Sequence, residues 1–146
     1  MATRTWGYFD TSVLVKRYVK ERGSARARAL LRQHRILSSA IAPLELVSAL
    51  CRRRAMEEIA EPDFVAIRSR IREDHAYWEL VEVSALVLDN SEGLIEQAGL
   101  RVLDAVHVAS AITFQTASGI RVPFITADAR QRDVARQFAL DVAWVG

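Results

Sequence analysis

The chain has 146 residues, long enough for one sizeable core and short for two independent ones, so one domain over residues 1–146 is expected. Hydrophobic residues make up 51% and charged residues 26%, a globular balance, and no Pro/Gly/Ser-rich stretch, single-sign charge run or repeat marks a linker or disordered tail. The formal charge is only +2, from 20 basic and 18 acidic residues, but 18 of the basic residues are Arg and only Lys16 and Lys20 are Lys.

That skew matters because the planar guanidinium fork suits bidentate phosphate contacts. The arginines gather at Arg22/Arg26/Arg28/Arg32, at Arg52 to Arg54, at Arg68/Arg70/Arg72 and at Arg130/Arg132/Arg136. Each group serves either as a solvated helix face or as a phosphate contact. The start, MATRTWGYFD, has no apolar h-region or small-residue cleavage site. The longest uncharged run, residues 105 to 120, is too short and too polar to span a membrane. A soluble, cytoplasmic protein is the expectation. Cys51 has no partner for an internal disulfide and sits in the apolar pattern LELVSALC, as a buried small hydrophobe would.

In chain order, WGYFD reads as a short strand ending on an acid. Thr11 and Ser12 can cap the helix that VLVKRYVK would continue. Residues 24 to 34 form an amphipathic pattern, ILSS a short strand, and Pro43 suits the first turn of a helix carrying LELVSALCRRRAMEE, which places Glu45 in that turn. A polar-faced helix starts at Glu61-Pro62-Asp63, WELVEV alternates as a strand does, and residues 84 to 98 return to helix. Gly99 breaks the pattern before LRVLDAVHVASAITFQTA, whose nearly uncharged interior marks a sandwiched helix with Asp104 near its start. VPFIT is a strand with Pro at its beginning, TADARQRDVARQF a helix with Asp128 near its cap, and DVAWV a last strand. This alternation predicts an α/β fold, a sandwich around a mainly parallel sheet.

In open α/β sheets the ligand crevice lies beyond the carboxyl ends of the strands, where strand order reverses. Asp10 directly follows the first strand and Asp128 stands two residues after VPFIT, so neighbouring strands would bring them into one crevice. Glu45 and Asp104, each in the first turn of a helix packed on the sheet, could complete the cluster. Two ionised carboxylates about 4 Å apart repel by roughly 4 kcal/mol at an effective dielectric of 20, so four together take up protons or hold a cation. Oxygen-only donors suit Mg²⁺ or Mn²⁺, and the chain lacks the Cys/His set that zinc prefers. Each acid also has a plain structural use: Asp10 and Asp128 as helix caps, Asp104 as a first-turn dipole residue, Glu45 in an exposed pairing. His107, one turn after Asp104, is either a packed, hydrogen-bonded histidine or a general acid.

The segments FDTSVL, PLELVSAL, LDAVHVASA and FITADARQRDVA, in this order and spacing, resemble the four acidic motifs of PIN-domain ribonucleases, in particular the VapC-type toxins of bacterial toxin–antitoxin pairs. The resemblance covers nearly the whole chain. It implies a three-layer α/β/α sandwich with a parallel sheet of about five strands, and Mg²⁺- or Mn²⁺-dependent cleavage of RNA. Asp10, Glu45, Asp104 and Asp128 match the acidic positions, Ser12 the hydroxyl of the first motif and Thr126 a Ser/Thr before the last acid. Asp10 and Asp104 would be the principal metal ligands, Asp128 a second ligand or one acting through water, and Glu45 a ligand or a base orienting the attacking water. Ser12 and Thr126 would support the acids or cap helices, and Thr11 would start the first helix. Ala139 stands where a Gly is common in the final motif. By the same resemblance, a cognate antitoxin would cover the crevice and the chain would form a homodimer. Leu30, Leu31, Leu46 and Leu50 could serve a partner or the core. The competing reading within the fold is a catalytically inactive scaffold that binds RNA or protein. A receiver-type signalling domain fits poorly, because both lysines lie in the N-terminal helix rather than after a last strand.

Overall fold

The structure is a computed structural model that describes residues 3–146. Among the described residues five short strands are interspersed with seven α-helices: β1 (Trp6–Phe9), α1 (Thr11–Leu14), α2 (Ser24–Gln33), β2 (Arg35–Ser39), α3 (Ala42–Ala55), α4 (Glu61–His75), β3 (Glu79–Val81), α5 (Ala85–Ala98), α6 (Val102–Ser118), β4 (Phe124–Thr126), α7 (Ala129–Gln137) and β5 (Val142–Trp144). All strand pairs are parallel, in the order β3-β2-β1-β4-β5. The sandwich around a parallel sheet expected from the alternation, and the three layers and five strands implied by the resemblance, are the architecture found.

Successive strand residues point to opposite faces, and the two faces carry separate cores. Tyr8, Leu37 and Phe124 face α5, α6 and α7, where Val87, Leu94, Val108 and Val134 complete one cluster. Phe9 and Ile125 face the other way, onto Val13, Leu14, Leu31, Leu46, Leu50, Phe64 and Trp78 from the remaining helices and the approach to β3. Leu31, Leu46 and Leu50 are therefore core residues, with Leu30 packed at the margin. Cys51 is half-buried against the same cluster. Residues 105 to 111 of α6 are buried without exception, as an uncharged helix interior requires.

Two elements differ from expectation. The helix that starts at Thr11 does not run on through VLVKRYVK; it tightens at Val15–Arg17 into a 3₁₀ turn. There Lys16 turns inward, its Nζ 2.9 Å from Glu21 Oε1 and 2.6 Å from the Arg22 carbonyl, a use a solvated helical lysine would not have. WELVEV pairs over only three residues, because it forms a sheet edge and Trp78 is committed to the core instead.

The Gly-like position is visible in the backbone. Ala139 follows α7 with φ +62, and the Leu140 amide donates to the Ala135 carbonyl at 3.0 Å. This is the helix-ending turn in which glycine is favoured, because a Cβ is strained in the left-handed region.

Candidate active site

Strand order reverses at β1: the chain passes from β1 to β2 on one side, while β4 pairs on the other, with Tyr8 opposite Phe124 and Phe9 opposite Ile125. The crevice outside such a switch point is where an α/β sheet leaves room for a ligand. Asp10 leaves β1 at this point, its amide still bonded to the Ile125 carbonyl at 3.2 Å. Asp128 leaves β4 just beside it. Asp10, Glu45, Asp104 and Asp128 all line one cleft of about 1000 Å³.

Hydroxyl groups tie the ends of the two strands together. Ser12 Oγ donates to Asp10 Oδ1 at 2.7 Å and accepts the Ala127 amide at 3.0 Å. Thr126 Oγ1 donates to Asp10 Oδ2 at 3.2 Å and accepts the Asp128 amide at 2.9 Å. Neither hydroxyl caps a helix. Asp10 itself occupies the N-cap position of α1 without any side-chain cap bond, so capping does not explain it. Asp128 does cap α7, accepting the Gln131 amide at 3.0 Å. The Gln131 side chain in turn donates to Asp104 Oδ1 at 2.8 Å, which links α7 to the first turn of α6.

Glu45 belongs to a second network. Its Oε1 accepts from Thr11 Oγ1 at 2.7 Å and from His107 Nε2 at 2.6 Å. A carboxylate only accepts, so Nε2 carries the proton. The other ring nitrogen, Nδ1, meets the Tyr8 hydroxyl at 2.8 Å. Burial pushes the Tyr8 phenol well above its ordinary pKa of 10.0, so this group stays a neutral hydroxyl, able either to donate to Nδ1 or to accept from it. Thr11 therefore does not cap the helix, as the sequence suggested; it holds Glu45. His107 is only 1% exposed and is the packed, hydrogen-bonded histidine of the two alternatives, with the added task of orienting Glu45.

The two networks set the acids apart electrostatically. Burial raises Asp10 from 3.8 to about 6, against the charge of His107 and the Ser12 and Thr126 hydrogen bonds, with the Asp128 charge adding to the rise. Burial also opposes ionisation of Glu45, but its bond to His107, the charge of His107, the Thr11 hydroxyl and Arg52 outweigh that and hold its carboxyl below the usual value. Asp104 Oδ2 is buried with no hydrogen-bond partner among the described residues; Arg101 Nε stands 3.5 Å away, an ion-pair distance without a hydrogen bond. Among the described residues, no three His, Cys, Asp or Glu side chains are gathered tightly enough to hold a metal ion. The acids share a cleft without meeting at one point. Even so, the donor set fits a hard divalent cation: the four side chains offer only oxygen, one buried carboxylate oxygen lacks a partner, and Asp10 pays to ionise.

A family model described as the PIN domain matches residues 7–137. The chain belongs to the PIN domain family. Similar solved PIN-like folds include a toxin–antitoxin complex from Klebsiella pneumoniae, 17% identical, covering 86% of this chain and 88% of that one with a TM-score of 0.61. VapBC2 from Rickettsia felis, solved bound to a DNA fragment from the promoter, is 16% identical over 97% of this chain and 100% of that one, TM-score 0.65. VapBC-5 from Mycobacterium tuberculosis is 20% identical over 97% and 98%, TM-score 0.61. No curated protein matches the sequence.

In this PIN fold the sequence reading missed Thr11, Tyr8 and Gln131 as members of the site. Alternation along β1 could have placed Tyr8 on the face of α6. The helical spacing of Asp128 and Gln131 could have put both over the crevice. Nothing local to Thr11 reveals its bond to a residue on α3.

Proposed function

We propose that this PIN-domain chain is a divalent-metal-dependent endoribonuclease, a single domain acting in the cytoplasm as the toxin of a toxin–antitoxin pair. The observation that carries the reading is the convergence of Asp10, Glu45, Asp104 and Asp128 on one cleft at the β1–β4 switch point. Asp10 and Asp104 would be the principal ligands of Mg²⁺ or Mn²⁺, joined by Asp128 directly or through water. When bound, such a cation makes water nucleophilic near neutral pH and neutralises charge on a phosphodiester.

The chain's own groups prepare the cleft for that task. Ser12 and Thr126 fix both oxygens of Asp10. Gln131 fixes one oxygen of Asp104 and leaves Oδ2 unpartnered. Thr11 and His107 hold Glu45 by Oε1 and keep it ionised, so it can orient or deprotonate a water with its other oxygen. No side-chain nucleophile is required.

An inactive scaffold of the same fold would have no use for Asp10, since a buried carboxylate with a pKa near 6 opposes folding at neutral pH. The toxin–antitoxin neighbours support a cognate antitoxin as the protein partner, and homodimerisation belongs to the same proposal. Leu44 and Leu103 are exposed beside the acids, where an antitoxin segment could rest. The test is cleavage of a defined single-stranded RNA pool with Mg²⁺, Mn²⁺ or EDTA, followed by mapping of the ends. Cleavage should need the cation and vanish in folded Asp10→Asn and Asp104→Asn proteins; equal cleavage by those variants would reveal a contaminating nuclease and sink the assignment.

A further inference from the structure

A second concavity lies outside the carboxylate cleft, and among the described residues only arginines line it. Arg17 from the 3₁₀ turn, Arg28 and Arg32 one turn apart on α2, and Arg70 of α4 enclose about 220 Å³. At roughly 30 Å³ per water, that space holds about seven waters, or a phosphate group with its first hydration. The fold thus combines members of two arginine groups that are far apart in sequence.

These guanidinium groups are under-neutralised. Arg17 Nε is 3.2 Å from Asp74 Oδ2, and the same oxygen accepts the Tyr18 hydroxyl at 2.6 Å. Arg70 stands over the Tyr18 ring, 5.6 Å from its centroid. Among the described residues Arg28, Arg32 and Arg70 have no carboxylate partner. Four like charges face one carboxylate, and an anion in the cleft would relieve their repulsion.

We propose that this arginine cleft binds the phosphodiester backbone of single-stranded RNA, as an anchoring site separate from the acids. The planar forks match phosphate oxygens bidentately. Among the described residues no apolar side chain lines the cleft, whereas a protein-docking surface has an apolar or aromatic centre. Tyr18 lies beneath the arginines and is buried, so no ring is offered for base stacking. Contacts confined to phosphates fix position without reading sequence. Consecutive residues of one turn, Lys16 and Arg17, line the carboxylate and arginine clefts respectively, so the two clefts adjoin at that turn. The choice of RNA as the polyanion rests on the ribonuclease reading above.

The test uses the full chain and a short fluorescein-labelled single-stranded oligoribonucleotide, with anisotropy read in EDTA across a salt series. At a slope near 0.7 per phosphate contact, Arg28→Gln/Arg32→Gln should lower the salt slope by about 1.4 and the affinity about 25-fold at 0.1 M salt. Both side chains are exposed, so thermal melting of the variant should match the parent. Arg121→Gln, which removes an exposed arginine paired with Asp141, should leave slope and affinity unchanged. Unaltered binding by the double variant would overturn the proposal, and so would tighter binding of a poly-glutamate peptide than of the RNA through the same two arginines. Because cleavage is not read, a chain that binds RNA through these arginines but cuts none would keep this site and refute only the ribonuclease reading.

Discussion

Replacing Asp10 by Asn should stabilise the metal-free protein at pH 7, an unusual direction for a change at a fully buried polar residue. Burial raises the Asp10 carboxyl from 3.8 to about 6, which places a penalty of about 3 kcal/mol on the ionised form in the fold. Asn has the same shape but cannot accept both hydroxyl bonds from Ser12 and Thr126, which returns about 1 kcal/mol. The net gain is about 2 kcal/mol, or about 4–8 °C in Tm at this chain length. The sign of the pH dependence follows from linkage. The folded carboxyl binds its proton more tightly than the unfolded one, so the penalty is present above about pH 6 and gone below about pH 4. Calorimetry in EDTA from pH 7 to pH 4 should therefore show the advantage of Asp10→Asn shrinking to nothing or reversing. A variant that is less stable at pH 7, or whose advantage does not change with pH, would refute the burial argument. Adding Mn²⁺ should favour the parent, because a ligand that binds only the folded state stabilises it.

Other changes test the networks around the acids. His107→Ala removes the shared partner of Tyr8 and Glu45 and should cost about 3 kcal/mol in urea unfolding, with His107→Gln costing about half of that because its amide can still reach Glu45. Ala139→Gly relieves a φ of +62 against the extra freedom of glycine in the unfolded chain, and should raise stability by about 0.5 kcal/mol. Gly23→Ala should destabilise by about 2 kcal/mol or more, since its φ is +83 and an added Cβ would lie 2.4 Å from the Val145 carbonyl oxygen; an unchanged Tm would contradict the packing there.

The layers of the fold were legible because they rest on local signals. Pro43 and Gly99 punctuate helices, the short run WGYFD marks β1, and the uncharged interior of α6 announces its burial. That Asp10 and Asp128 share a crevice was inferred on the condition that β1 and β4 are neighbours, and the sheet order meets the condition. What remained hidden depends on contacts between distant residues. Thr11 reaches Glu45 across 34 positions and Tyr8 reaches His107 across 99, and no helical or strand period encodes such pairs. The 3₁₀ turn at Val15–Arg17 was equally hidden, because it follows from where Lys16 finds an acceptor. The arginine groups were visible as composition, but only the fold, which brings side chains of α2, α4 and the 3₁₀ turn around one concavity, turns Arg17, Arg28, Arg32 and Arg70 into one cleft.

The most direct measurement is the initial rate of cleavage of a labelled single-stranded RNA as Mn²⁺ is raised, for the parent chain and for Asp104→Asn. The account predicts no cleavage in EDTA, a saturable rise with Mn²⁺ in the parent, and a rate lower by a hundredfold or more in the variant, on the order of what losing a principal charge-stabilising group costs. Cleavage that persists without the cation, or that is equal in a folded Asp104→Asn protein, would contradict it.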